Sequence, residues 1–445
     1  MASTHLSKSA SGGSRTTWTI STWVKRGSLG SGLSSNIFNG IVDNSNETQL
    51  LFLYDSIEFY DYSSASRTGT LVTTAKYRDV NAWYHIVAVW DTTNATAGDR
   101  MRLYVNGEEV TSFSTDTPPS LNQNSSLGNG TYDQQVGLYS ANSSYYFNGS
   151  MAHFHFIDGT AYDASTFGEY SATSGVWKPK TDPSVTYGTN GFFLKFANSA
   201  ALGTDSSVNG NDFTVNGTGT QTLDTPSNVF CTMNPLDNYY FNGTFVNGNT
   251  TTTTGTSQYT WCTSTLGVSS GKWYWEVEYD AKSGGSDVAY IGITPSTSTS
   301  TTEQPLMSNN QYYYYSSGSG EGVTMGDSYT TGDIIGIALD LDNNKIYFSK
   351  NGVWQNSGDP TSGATGTGAI SITDPSSTVL GNYFAIVADG SSSYNATFKA
   401  NFGNGYFGTT AVSTPGSDGA GLGKFEYAVP TGYYSLCTKN IITYG

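Results

Sequence analysis

Apolar and polar residues alternate along most of this chain, in short runs broken by Asn, Gly, Asp and Ser. A period of two is the pattern of β-strands with one buried face. In "TTWTISTWVKRG" it makes Trp18, Ile20 and Trp23 inward candidates. "QLLFLYDSIEFYDY" reads as two strands around a turn at Asp55-Ser56, and "AWYHIVAVWDTT" as a strand with Trp83, His85, Val87 and Val89 on one face. The hairpin "RMRLYVNGEEVTSF" turns at Asn106-Gly107, a pair suited to the positive φ that such a turn needs at both positions. "YYFNGSMAHFHFIDG" and "GFFLKFAN" supply further strands. A stretch poor in large apolar residues follows, from about Ala200 to Pro235, and reads as a linker with one short strand at "NDFTVNG". Alternation then resumes in "YTWCTSTLGV", "KWYWEVEYD", "VAYIGITP", "GDIIGIALDLDNNKIYFSKNGVW", "YFAIVAD" and "ATFKANFG".

Composition supports this pattern. The chain has 445 residues, enough for two domains, with 12% charged and 14% aromatic residues. Disordered chains have the opposite balance, so the chain is expected to fold, as all-β. The formal net charge of −16 opposes nucleic acid and anionic membranes. No stretch approaches the ~20 apolar residues of a membrane helix, and "MASTHLSKSASGGSRTTW" shows no apolar signal segment, so the Asn148-Gly-Ser and Asn242-Gly-Thr matches are expected to stay unglycosylated. Cys231, Cys262 and Cys437, odd in number and widely spaced, predict neither a disulfide framework nor a metal knuckle.

Candidate chemistry concentrates in a few places. "GKWYWEVEYD" puts Trp273, Trp275, Val277 and Tyr279 on one face of a strand and Lys272, Tyr274, Glu276, Glu278 and Asp280 on the other. Asp205, Asn209, Asn211 and Asp212 could offer oxygens to Ca²⁺, although Asx-turns binding their own backbone account for the same residues. His153 and His155 lie two apart without an evident third ligand, a pattern expected to face the surface or a partner. "NNQYYYYSSGSGEG" lines up Tyr312, Tyr313, Tyr314 and Tyr315, of which alternation turns two inward. "SANSSYYFNG" carries Tyr145 and Tyr146. Tyrosine rings stack on sugar faces while their hydroxyls hydrogen-bond, so these six are the ligand-binding candidates.

The first region, through "TWVKRG", "WYHIVAVWD", "LYVNGEEV" and "FNGSMAHFHFIDGTAYD", resembles the laminin-G-like or concanavalin A-like jelly roll. The second, through "GKWYWEVEYD", "YIGITP", "GDIIGIALDLDNNKIYFSKNGVW", "YFAIVAD" and "FKANFG", looks like a SPRY domain. Together they imply two tandem antiparallel β-sandwiches: residues 1–199, a linker at 200–227, the SPRY-like sandwich at 228–410, and a closing segment at 411–445. "FEYAVPTGYYSLCTKNI", "DSSVNGNDFT" and "DTPSNVFCTMNPLDN" resemble the closing segment and joint of phage tail proteins.

Concanavalin-like sandwiches include glycosidases with a Glu-x-Asp-x-(x)-Glu strand. Retaining cleavage needs carboxyls ~5–5.5 Å apart, whereas positions i and i+4 of a strand lie ~13 Å apart along the backbone. The order Glu-Val-Glu-Tyr-Asp also departs from that pattern. Glu276 is therefore expected to be paired or half-exposed and Glu278 solvated, neither being catalytic. The resemblances imply a non-enzymatic virion protein, made in the host cytoplasm. It would be a homo-oligomer, with a trimer as one form, meeting other virion proteins and host-surface glycans. The rival readings are a polysaccharide depolymerase using Glu276, Glu278 and Asp280, and a protein-interaction adaptor.

Overall fold

The computed structural model of the chain describes residues 4–29, 34–139, 145–172, 174–237, 243–256, 260–285, 288–297, 311–320, 323–391 and 393–445. They divide into two compact units, residues 1–221 and 222–445, each a pair of antiparallel sheets facing across an apolar core. The fold is all-β, two β-sandwiches in tandem.

In the first unit, sheet I runs Phe113–Thr117, Ser66–Thr73, Ser56–Ser63, Asn46–Leu53, Ser34–Asp43, Thr131–Val136, His5–Ser11 and Thr214–Asn216. Sheet II runs Phe192–Leu194, Gly149–Asp158, Thr17–Arg26, Trp83–Asp91, Met101–Val105 and Glu108–Glu109. Phe38, Leu50, Phe59 and Leu71 from sheet I meet Trp18, Ile20, Ile86, Trp90 and Phe156 from sheet II. Trp18 and Trp90 stack at 5.9 Å. Burying each large apolar side chain contributes roughly 1.5–3 kcal/mol. The Asn106-Gly107 turn forms as expected, with φ of 52° and 90°.

Three expectations need correcting. Trp23 lies in register with His85, on the face of sheet II away from the main core, because strand parity puts Trp18, Ile20 and Val24 inside. The turn after Leu53 is made by Tyr54 and Asp55, Tyr54 taking a φ of 56°, and Ser56 already belongs to the next strand. Much of the stretch read as a linker folds onto the first unit. Thr214–Asn216 pairs with the His5–Ser11 strand, and the Phe213 ring packs edge-on against Phe192 at 4.6 Å. The boundary between units falls at Gln221 and Thr222.

In the second unit, sheet III runs Thr244–Val246, Thr251–Thr253, Ala396–Asn401, Lys272–Lys282, Ile334–Asp340, Lys345–Lys350 and Val353–Trp354. Ile370–Ser371 adds beside Lys345–Lys350, and Tyr434–Ser435 adds in parallel beside Lys272–Lys282. Sheet IV runs Thr260–Val268, Tyr383–Asp389, Ala289–Thr294, Tyr312–Tyr315, Ser319–Gly320 and Val323–Thr324. Trp273, Trp275, Val277 and Tyr279 point into the core against Ile291, Ile293, Tyr314 and Val387, as the alternation predicts. Cys231, Cys262 and Cys437 are buried thiols.

Candidate functional site

The acidic strand comes first, since it bears on any cleavage chemistry. Its outward face is covered. Residues of the closing segment lie across sheet III, and Phe425 and Tyr433 form a small second core with Tyr274, Ala338 and Tyr347. Glu276 is 0% exposed. Its carboxylate accepts the backbone N–H groups of Glu426 (2.8 Å) and Tyr427 (2.9 Å), the Tyr274 hydroxyl (3.0 Å) and the Asn401 amide (3.4 Å). Gly336 stands opposite Glu276, and a Cβ there would come within 2.8 Å of the Tyr274 hydroxyl oxygen and 2.4 Å of Ser349 Oγ. Burial pushes the Glu276 carboxyl up to about 7, against the pull of those donors. Glu276 is thus paired, the first of the two expected states, and fully enclosed rather than half-exposed. Glu278 is half-buried rather than solvated: burial raises its pKa, and Lys399 lies 3.4 Å away. The same lysine holds Asp280 at 2.5 Å. Trp273 and Trp275 are 0% and 1% exposed, so the indoles line no groove.

The tyrosine run forms the Tyr312–Tyr315 strand of sheet IV, and alternation divides it. Tyr312 and Tyr314 point inward. The Tyr312 hydroxyl accepts the Thr373 N–H at 2.9 Å, and the Tyr314 hydroxyl donates to the Asp327 carbonyl. Tyr313 and Tyr315 are half-buried on the other face and meet Tyr290 from the neighbouring strand. Tyr290 stacks on Tyr315 at 4.4 Å and meets Tyr313 edge-on at 5.1 Å. Register extends this row through Ala388 to Trp261, whose indole N–H has no hydrogen-bond partner among the described residues. Of the four tyrosines, two therefore serve the core and two form an outward aromatic group. Tyr290 belongs to that group and was not picked out from sequence, because only register brings it beside Tyr315, whereas Trp261 is 3% exposed and lies in a buried cluster with Ile386 and Ala388.

In the first unit, Tyr145 and Tyr146 are half-buried beside sheet I. The Tyr145 carbonyl accepts the Asn36 N–H at 3.4 Å, and its ring lies 5.9 Å from Tyr139. Of the two histidines, His153 is half-buried and His155 is off the surface. His155 is 2% exposed, stacks on Phe193 at 3.9 Å and bonds the Tyr187 hydroxyl through Nδ1 at 2.9 Å. His153 sits in a bulge with φ of 47°, which breaks the strict alternation of the pair. His85, beneath the segment that carries Trp177, accepts the Trp177 indole N–H on Nδ1 at 3.0 Å, so its Nε2 proton goes to Ser21 Oγ at 2.9 Å. Burial pushes His85 down to about 3 and keeps it neutral.

The Asp205 cluster is bound to protein donors. Asp205 accepts the N–H groups of Phe193 (2.8 Å), Ser207 (2.8 Å) and Asn211 (2.7 Å), and Asp212 accepts the Asp205 N–H at 2.8 Å. Asn209 and Asn211 donate their amides to the Gly191 carbonyl at 2.9 and 2.8 Å. This is the backbone-bonding arrangement that the sequence offered beside the Ca²⁺ reading.

Comparisons with known proteins agree with the fold. Residues 3–165 match the family described as the concanavalin A-like lectin/glucanases superfamily, and residues 272–372 match the SPRY domain. Both domain types are thus present in the chain. A search of curated proteins found no match. Among solved structures, the human HERC1 SPRY domain is 18% identical, covering 38% of this chain and 96% of its own, at a TM-score of 0.27. A heptameric SAP-like pentraxin from Limulus polyphemus is 15% identical, with coverages of 48% and 89% and a TM-score of 0.28. Domain 4 of AbnA, an extracellular arabinanase of Geobacillus stearothermophilus in complex with arabinotriose, is 18% identical, with coverages of 34% and 64% and a TM-score of 0.24.

Proposed function

We propose that this chain is a non-enzymatic adhesion and structural protein of a tailed-phage virion, a tail, fibre or head-surface appendage that meets host-surface glycans and neighbouring virion proteins. The observation that carries the binding part is the half-buried aromatic group of Tyr290, Tyr313 and Tyr315 on the face of sheet IV turned from the main core. Half-buried tyrosines offer rigid ring faces and polar tips to a sugar at little entropic cost. The virion setting is supported by the resemblance of the joint and the closing segment to phage tail proteins. A homo-oligomer, such as a trimer, repeats a shallow site and turns weak contacts into firm attachment. Engagement of Glu276 by the closing segment, and of Glu278 and Asp280 by Lys399, supports a structural use of the three acids.

The test is a glycan array and host-cell binding assay of the purified full chain, with mass spectrometry of purified phage particles. Binding is expected to fall at least tenfold when Tyr313→Ala and Tyr315→Ala are combined. Absence of the chain from particles, or cell binding that ignores the double substitution, defeats the proposal.

A further inference from the structure

The first strand of the first unit, His5–Ser11, turns Leu6, Lys8 and Ala10 to one side, and Leu6 and Ala10 belong to the core. Lys8 is therefore a half-buried lysine on the inner face of a sandwich. A cation placed there ordinarily has a carboxylate against it. Among the described residues Lys8 makes no ion pair, and its Nζ has one hydrogen-bond partner, Asn211 Oδ1, at 2.6 Å. The two residues stand 203 positions apart. Asn211 leads into Thr214–Asn216, the strand that pairs with His5–Ser7, so the contact ties the unit's first strand to the approach to its last. The Asn211 carboxamide is fixed in orientation. Its Nδ2 donates to the Thr189 carbonyl at 3.0 Å and the Gly191 carbonyl at 2.8 Å, and its backbone N–H is held by Asp205 Oδ2 at 2.7 Å. Oδ1 is left facing the lysine. With a C=O bond of ~1.23 Å, Asn211 Cγ lies within ~3.8 Å of Lys8 Nζ. Burial, working against the Asp205 charge, lowers the Lys8 pKa and enlarges its neutral, nucleophilic fraction.

We infer that Lys8 and Asn211 join in an intramolecular isopeptide bond, a self-catalysed cross-link between the two ends of the first sandwich. The step balances without a cofactor. The neutral Lys8 amine attacks Asn211 Cγ, a C–N bond forms, and the C=O π pair moves onto Oδ1. The proton shed by Nζ passes by way of the Asp205 carboxylate to Nδ2. The carbonyl re-forms, the Cγ–Nδ2 bond breaks, and one molecule of ammonia leaves, ~17 Da in all. Asp205 is placed for this task, since its charge acts on Lys8 and it already holds the Asn211 backbone. The Thr189 and Gly191 carbonyls that hold Nδ2 receive the departing ammonia. Groups held in such an attack geometry react with effective molarities that reach ~10⁵–10⁸ M. Lys399 of the second unit is the contrast. There burial is outweighed by Asp280 and Glu278, which raise the pKa and keep the amine protonated, so that pair stays ionic. The bond closes a loop from residue 8 to residue 211, around the first sandwich. Tension on the ends of that unit would then run through the link and spare the sheets. The link forms whether or not the tyrosine group of the second unit meets a sugar.

The experiment is mass spectrometry of the purified full chain under denaturing conditions, before and after cyanogen bromide cleavage at methionine. The intact mass is expected ~17 Da below that of the sequence. Cleavage after Met101, Met151 and Met233 is expected to leave the piece ending at Met101 joined to the piece ending at Met233 in reducing denaturant, while the piece ending at Met151 is released. Tandem spectra of the joined pieces place the branch at Lys8 and Asn211. Lys8→Arg keeps the charge but is expected to abolish the link: its mass equals that of its own sequence and the two pieces separate. The first unit's melting temperature falls in that variant by about 10 °C, because a closed loop of this length strongly constrains the unfolded chain. Should Lys8→Arg fail to fold, Asn211→Ala takes its place, and the unsubstituted chain's own fragments still decide. A succinimide at an Asn-Gly pair such as Asn209-Gly210 loses the same mass but leaves the pieces separate. The inference is overturned if the pieces of the unsubstituted chain part on cleavage, or if Lys8→Arg retains the branch.

Discussion

Sheets I and III each bury polar side chains on the face turned away from the main core, and they settle the hydrogen-bond account in opposite ways. In sheet III every donor around Glu276 comes from the chain itself: two backbone N–H groups, a phenol and an amide. In sheet I the amides of Asn39, Gln49 and Gln135 are as deeply enclosed, yet much of their capacity is unmet. Burial alone therefore does not tell a satisfied polar group from an unsatisfied one. What separates them is whether the protein supplies the partners. A satisfied group stabilises the fold when kept, whereas an unsatisfied one costs stability until something else meets it.

The contrast can be broken most directly at Glu276. Glu276→Ala leaves the N–H groups of Glu426 and Tyr427 and the Tyr274 hydroxyl buried without their acceptor, and it is expected to cost the second unit about 3 kcal/mol. Denaturant unfolding followed by tryptophan fluorescence measures this. A loss below about 1 kcal/mol would mean that the closing segment is held by its apolar contacts alone. The pH dependence comes next. With the folded carboxyl raised to about 7 from 4.5, the native state keeps a proton that the unfolded chain has lost between those values. Stability of the second unit is therefore fullest below about 4.5 and declines as pH rises to about 7, by on the order of 3 kcal/mol, then levels off. Glu276→Gln should flatten that slope, and a slope that survives the substitution assigns it to another group.

Within sheet I the expected effects are smaller. Gln49→Leu removes the acceptor of Asn36 Nδ2 and should cost about 1 kcal/mol. Asn39→Leu removes a group with no partner to orphan and should cost nothing, or stabilise by a few tenths of a kcal/mol. Equal costs at the two positions, read from the first unit's melting transition, would erase the distinction drawn between them.

The parts legible in the sequence are those in which one local rule decides. Alternation around Trp273 gave the correct inward face, the Asn106-Gly107 pair marked its hairpin, and the tyrosine run divided into inward and outward members as period two requires. Parity misled at the bulge between His153 and His155 and where both faces of a strand are covered. Trp83–Asp91 is buried nearly throughout, and Trp23 packs on His85 outside the main core. The partners of Glu276 were invisible because backbone N–H groups carry no residue signature, and those donors lie 150 and 151 positions away. The polar row across sheet I from Gln135 through Asn39 and Gln49 to Tyr60 was hidden for a related reason. Its members are scattered among strands, each beside apolar neighbours that signal only the core face, and register alone assembles them. The stretch from 200 looked like a linker because the cohesion of its first part comes from Asx side chains bonding backbone, with Phe213 as the apolar anchor in the first unit.

The distance between Glu276 and its donors also sets an order of events during synthesis. The ribosome must deliver residue 427 before the acid emplaced 151 positions earlier can be capped, and residue 434 before the parallel edge beside Trp273 can form. The first sandwich is complete in sequence long before that, and domains generally fold as they emerge. A nascent chain stalled between the two points would carry one finished sandwich and one whose outer wall is still missing, with Tyr274 open to water.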